Sequence, residues 1–168
     1  MCGGIATNFS RLPKVDLKKF YDDRALERFE RAGFVEFKFW DKKPVLPVRI
    51  EGNKTRLRHG SGEVKILDWG NRDKNAPFPA TGWAAEKSIA EGKWAKYHPK
   101  SVKIIADRGL EKKVWFDFPK GEIEGLLVEK SGEERVYMLT QQADSEYIAK
   151  TGHDRMPIGE KSDFNKSS

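Results

Sequence analysis

Apolar and polar positions alternate along this chain in two different rhythms. Over residues 16–31 the apolar side chains fall at helical spacing. Leu17, Phe20 and Tyr21 share one face, Asp16 stands as an N-cap and Gly33 follows the end, which predicts a helix from Asp16 to Arg31. The rhythm then changes to two. In Phe34-Val35-Glu36-Phe37-Lys38-Phe39-Trp40 the charges Glu36 and Lys38 point one way and Val35, Phe37 and Phe39 the other, as in a half-buried strand. Pro44 and Pro47 bracket an extended piece that runs into Val48-Arg49-Ile50, and Gly52-Asn53 and Gly60-Ser61-Gly62 read as turns.

Further strands are expected at Val64–Trp69, Val102–Ala106, Val114–Phe118, Ile123–Glu129 and Arg135–Thr140. Lys130-Ser131-Gly132-Glu133 forms a hairpin turn between the last two. Helices are expected over Ala84–Tyr97, weakened by Gly92, and over Gln141–Lys150. A loop rich in Asn, Pro and charge fills Gly70–Gly82. Many short strands with two or three flanking helices predict an α+β fold. Its sheet is mostly antiparallel, curved and barrel-like, in one domain over residues 1–158 with a flexible tail at 159–168.

Composition narrows the class. A chain of 168 residues with 38% hydrophobic and 35% charged residues, including 5 Trp and 10 Phe, has the bulk for a core. No apolar run approaches the ~20 residues of a membrane-spanning helix. Met1 to Asp16 lacks the apolar stretch of a signal peptide, and a single cysteine allows no internal disulfide, so a reducing cytosol is expected. The balance of 32 Lys+Arg against 26 Asp+Glu leaves +6, which favours an anionic partner, most simply nucleic acid.

Three residues stand out chemically. Cys2 is the only thiol and is followed by the small Gly3. If Met1 is removed, Cys2 carries an α-amine, titrating at roughly 7.7–8.0, beside a thiol at about 8.5. Such a 1,2-aminothiol condenses with an aldehyde to an imine, and the thiol then closes a five-membered thiazolidine. It also suits an N-terminal nucleophile whose amine serves as base. Taken alone, Cys2 reads more readily as an inert small residue near a terminus than as a functional one. His153 leaves a predicted helix in Thr151-Gly152-His153-Asp154-Arg155-Met156-Pro157, a place from which it can face a cleft and move protons, whereas His59 and His98 read as ordinary histidines. Glu111 follows a predicted strand, where a carboxyl beside aromatic residues suits acid or base work; a solvated surface residue is the plainer reading.

Together these segments resemble one family. Met1-Cys2-Gly3, Trp69-Gly70, Ala85-Glu86 before a helix, Ala106-Asp107 with Glu111, Glu124-Gly125-Leu126-Leu127 and His153-Asp154-Arg155-Met156-Pro157 occur in the order found in the SOS response-associated peptidase, or abasic-site-processing, family. The resemblance runs from Cys2 to about Ile158. It implies that the Met-processed Cys2 captures the ring-opened aldehyde of an abasic site in single-stranded DNA as a thiazolidine crosslink. Glu111 and His153 would then move the protons, and no metal or cofactor would be needed. It also implies peptidase activity on residues before the cysteine and strand cleavage by β-elimination. Arg155 would contact phosphate, Lys87 would replace charge lost elsewhere, and Trp83 or Trp69 would stack on bases, with core packing the plainer reading of Trp69 in its strand; a monomer would act on damaged DNA at the nucleoid.

Departures are visible too. Gly4, Gly82 and Ala84 stand where the family carries Arg, Asn and Arg, and of its segment ending in the catalytic Glu only Ala106, Asp107 and Glu111 remain between Ile105 and Glu111. Two other classes stay open. Met-Cys-Gly-Gly-Ile also resembles the start of glutamine amidotransferase domains, which use an N-terminal Cys. A relative that binds nucleic acid without chemistry would give a salt-sensitive complex rather than a covalent one.

Overall fold

Alternation of the kind seen at 34–38 places one row of side chains inward and one outward, and the chain uses it to build two sheets. The structure, a computed structural model, describes residues 2–50 and 63–159. The expected turns at Gly52-Asn53 and Gly60-Ser61-Gly62, His59 and the tail from residue 160 lie outside the described residues.

In chain order the elements are β1 (Gly4–Asn8), α1 (Lys14–Leu17), α2 (Asp23–Ala32), β2 (Phe34–Lys38), β3 (Val45–Ile50), β4 (Glu63–Asp68), β5 (Trp83–Ala85) and α3 (Glu86–Ala90). There follow β6 (Lys100–Ile105), β7 (Arg108–Glu111), β8 (Val114–Asp117), β9 (Glu122–Lys130), β10 (Glu133–Gln142), α4 (Ser145–Thr151) and β11 (Arg155–Pro157). One sheet has the order β2-β1-β7-β8 and is antiparallel throughout. The second runs β11-β10-β9-β6-β3-β4, again antiparallel, and β5 joins β10 in parallel. The fold is therefore α+β with curved, mostly antiparallel sheets. Neither ladder closes, but a single parallel bridge from Trp69 to Val136 brings the exit of β4 against β10. No helix among the described residues is long and apolar enough to cross a membrane.

The strand expectations hold where the pattern was strong. In β2, Val35 and Phe37 are buried and Glu36 and Lys38 half-buried. The turn at 130–133 has Ser131 at φ 54° and Gly132 at φ 79°, the two left-handed residues of a type I′ hairpin. The helix expectations need correction. The single helix expected over 16–31 is two. The Asp22 carboxylate accepts the Ala25 N–H at 2.8 Å and starts α2 afresh, so the cap is Asp22 and not Asp16. Tyr21, released from the helix, sets its ring edge-on against Phe29 at 5.1 Å. Gly33 ends α2 at φ 84° as expected.

The helix expected over 84–97 begins only at Glu86. Ala84 is fully buried in β5, where pairing with β10 wins over helix propensity, and a 3-10 turn at Ala95–Tyr97 replaces the last part. The helix expected from Gln141 starts at Ser145, because β10 continues to Gln142 and Asp144 caps the Tyr147 N–H at 2.8 Å. The main core draws Ile5, Phe37 and Phe116 from the first sheet and Val48, Ile104 and Met138 from the second.

Candidate functional site

The β1–β7 pairing is what gives Cys2 its neighbours. Gly4 lies opposite Leu110, and the Gly3 N–H donates to Leu110 O at 2.9 Å, so the chain entering β1 runs beside the end of β7, where Glu111 sits. Cys2 is fully buried. Its thiol donates to Gly4 O at 3.0 Å, and its carbonyl accepts the Trp83 indole N–H at 2.9 Å. Trp83 is itself held against Phe39, ring centroids 4.8 Å apart, and edge-on to Trp69.

Burial pushes the Cys2 thiol up to about 12, and the nearby Glu111 charge adds to the effect, outweighing hydrogen bonds from the backbone. The neutral thiol is thus the form the fold favours. Since 9.0 is the ordinary value, this stabilisation is complete below pH 9 and is lost as pH rises from 9 toward 12. Urea midpoints of the Met1-bearing protein are expected to fall between pH 9 and 10, and Cys2→Ala to flatten that decline. A profile unchanged by the substitution would show that Cys2 is not the group responsible.

Glu111 is 3% exposed at the end of β7. The Tyr147 hydroxyl donates to its Oε2 at 3.2 Å, and Tyr147 is fully buried, its ring edge-on to Phe116 at 5.5 Å. Burial raises the Tyr147 phenol well above its ordinary value, with the Cys2 and Glu111 charges adding to it, so the phenol stays a donor. Cys2, Glu111 and Tyr147 therefore form one buried polar group. Sequence reasoning missed Tyr147. The one signal was its place three residues after Asp144, on the first turn of a capped helix, and nothing in the chain says that this turn packs on β7.

His153 joins the same neighbourhood by a longer route. Its N–H donates to Thr151 Oγ1 at 3.2 Å, and the Thr151 hydroxyl donates to Tyr147 O at 2.7 Å. Lys112 Nζ donates to Gly152 O at 3.3 Å, tying the end of β7 to the loop that carries His153. His153 Nδ1 accepts the Arg155 N–H at 3.1 Å and lies 3.4 Å from Asp154. Arg155 spends one guanidinium nitrogen on Thr140, at 2.9 Å to its carbonyl and 3.2 Å to its hydroxyl, which fastens β11 to β10.

No family model and no curated protein matches this chain.

The aromatic and cationic candidates separate by exposure. Lys87 is exposed on α3 and Trp83 is half-buried beside Cys2. Trp69 is 1% exposed, with its indole N–H donating to Gly82 O at 2.8 Å, so it presents no face on which a base could stack. The expectation that Trp69 stacks on DNA is thus corrected: it is a core residue that holds Gly82 and Trp83. Gly82 has no room for a side chain, since an added Cβ would lie 2.8 Å from the Phe39 ring and 3.0 Å from the Trp69 indole nitrogen. Ala84 is buried in a second apolar cluster with Trp94 and Tyr137. Among the described residues no group of three His, Cys, Asp or Glu is placed to hold a metal. What the cluster offers is a thiol, a carboxyl and a phenol buried side by side, groups able to exchange protons with an electrophile brought to residue 2.

Proposed function

We propose that this protein captures the ring-opened aldehyde of an abasic site in single-stranded DNA, becoming crosslinked through Cys2 as the resemblance to the abasic-site-processing family implies. The observation that supports the reading is the β1–β7 register, which sets Cys2 beside Glu111, whose carboxylate accepts the Tyr147 hydroxyl. Removal of Met1 turns the Cys2 nitrogen from an amide into an amine. The amine attacks the sugar aldehyde carbon and water leaves, giving an imine. The thiol sulfur then adds to the imine carbon while its proton passes to the nitrogen, which closes the thiazolidine with no oxidant or metal. Glu111 supplies and recovers the protons of these steps, and Tyr147 holds its carboxyl. His153, on the adjoining loop, serves ring opening or reversal. Because the buried thiol is neutral, the order is amine first and sulfur second.

The test is a denaturing gel of Met-processed protein mixed with single-stranded DNA bearing one abasic site. A shifted band that survives heating and is absent with intact DNA is expected. No band from protein whose mass shows Met1 removed overturns the proposal.

Tyr147→Phe keeps the ring packing and removes the hydroxyl on Glu111. The adduct is expected to form about tenfold more slowly, the equivalent of about 1.4 kcal/mol, within the range for an ordinary intramolecular hydrogen bond. Affinity for intact single strands should stay the same. An unchanged adduct rate and pH profile would remove Tyr147 from the mechanism.

A further inference from the structure

Away from the Cys2 cluster, a cleft of about 690 Å³ opens where α2 crosses β2 and the turn after it. Phe20, Tyr21 and Phe29 give it an aromatic lining. Around them stand Arg28, Lys38, Lys42 and Lys43, against two carboxylates. Both carboxylates are engaged: Glu36 pairs with Lys38 at 3.6 Å, and Asp41 accepts the Lys38 backbone N–H at 3.2 Å. Lys42 and Lys43 are exposed and belong to no ion pair among the described residues. Lys43 Nζ lies 5.3 Å from the centre of the Phe20 ring.

The turn that carries the two lysines is strapped in place. Arg72 Nη2 donates to Asp41 O at 2.7 Å and to Lys42 O at 3.1 Å. The same turn begins at Trp40, which is 59% exposed and covers Gly3: an added Cβ on Gly3 would lie 2.8 Å from Trp40 Cζ3. One rigid turn thus has its first residue against the neighbour of Cys2 and its last two on the rim of the cleft. A second cleft, of about 260 Å³, shares Lys42 and Lys43 and adds Arg72 beside Asp73, and Arg135, which is paired with Asp68 at 3.4 Å.

We propose that this cleft binds the stretch of single strand flanking the nucleotide held at Cys2, with Lys42 and Lys43 on phosphates and Trp40 and Phe20 offering rings to bases. Cations interleaved with rings match a polymer in which phosphates alternate with stacking bases, whereas an acidic peptide would use the cations alone. The choice of polymer rests on the proposed function above; the cationic turn itself does not.

Lys42→Glu/Lys43→Glu changes two exposed side chains and spares the core. Fluorescence anisotropy with a short intact oligonucleotide, free of abasic sites, reads the cleft without any covalent step. The double variant is expected to bind at least tenfold more weakly. The slope of log affinity against log salt should fall by about 1.4, at about 0.7 for each phosphate of a single strand that is no longer neutralised. Trp40→Ala should weaken binding several-fold with the slope unchanged. Lys93→Glu/Lys96→Glu, which alters the net charge equally on another face, should weaken binding much less. Equal weakening in the two double variants would reduce the effect to net charge and overturn the site. Displacement of the strand by poly-glutamate at matched charge would overturn the choice of nucleic acid. Weakened binding in Lys42→Glu/Lys43→Glu together with no adduct from the unaltered protein would leave the cleft standing and remove capture at Cys2. An adduct formed by the variant at the unaltered rate with limiting DNA would do the reverse.

Discussion

Cys2→Ala is expected to abolish the heat-stable adduct completely, because sulfur supplies the bond that locks the crosslink. After removal of Met1 the alanine variant still presents an α-amine, and that amine still forms an imine with the sugar aldehyde. An imine hydrolyses back; a thiazolidine, with sulfur on the same carbon, resists. The variant should therefore give no band after heating, yet yield a band when borohydride is added to reduce the imine. Protein that keeps Met1 should give no heat-stable band without borohydride, since its residue 2 nitrogen is an amide and cannot close the ring with sulfur. The fold tolerates the change, because alanine replaces only a small buried side chain whose hydrogen-bond partners, Gly4 and Leu110, are backbone groups. A heat-stable band from Cys2→Ala would overturn the assignment of the nucleophile. A heat-stable band from protein retaining Met1 would overturn the imine route.

Trp69→Ala is expected to cost about 3–5 kcal/mol of stability, the range for truncating a large buried aromatic. Trp69 is among the largest fully buried side chains, bridges β4 to β10 through Val136, and packs on Phe39 at 5.3 Å. Its indole N–H shares Gly82 O with the Met138 N–H, 3.0 Å away, so truncation also removes one of the two hydrogen bonds at that oxygen. Through Gly82 the damage passes to Trp83 and so to the Cys2 carbonyl. Urea unfolding should show the destabilisation, and adduct formation should fall even where the protein remains folded. Trp69→Phe keeps most of the apolar volume and should cost about 1–3 kcal/mol, mainly through the missing hydrogen bond. A cost below 1 kcal/mol for Trp69→Ala would mean that the bridge to Val136 does not hold the two ends of the second sheet together.

How far the chain could be read depended on whether the governing interaction was local. The Val35/Phe37 alternation and the Ser131-Gly132 hairpin are properties of adjacent residues, and both appear where expected. The break at Asp22 turned on a choice between two aspartates, Asp16 and Asp22, either of which can cap. It was decided by where Tyr21 and Phe29 pack. The strands β1, β7 and β11 escape a reading of the sequence because each is short and lacks alternation: Gly4–Asn8 carries no outward polar row at all, being buried at four of its five positions. Ala84 has the propensity of a helical residue and became a strand because β10 had an edge to be covered.

The candidate site divides in the same way. Cys2, Glu111 and His153 can be selected from residue type and local setting, since a thiol next to Met1, a carboxyl at a strand end and a histidine after a helical glycine are legible without a fold. Their relation cannot be read that way. Cys2 and Glu111 are more than a hundred positions apart, and only the β1–β7 register brings them together. Tyr147 enters from a third element with no local mark. Trp69 does not belong to a DNA surface; its place in a predicted strand already made core packing the plainer reading, and the bridge to β10 is what covers it.

By itself, then, the sequence determined the α+β class, the antiparallel hairpins, the excess of positive charge and a single thiol at position 2. These follow from composition and from interactions within a few residues. Only the tertiary structure decided that the thiol is buried and neutral beside a carboxyl and a phenol, and that Lys42 and Lys43 rim an aromatic cleft. Those properties depend on which distant segments exclude water from a given atom, and exclusion of water is a result of packing.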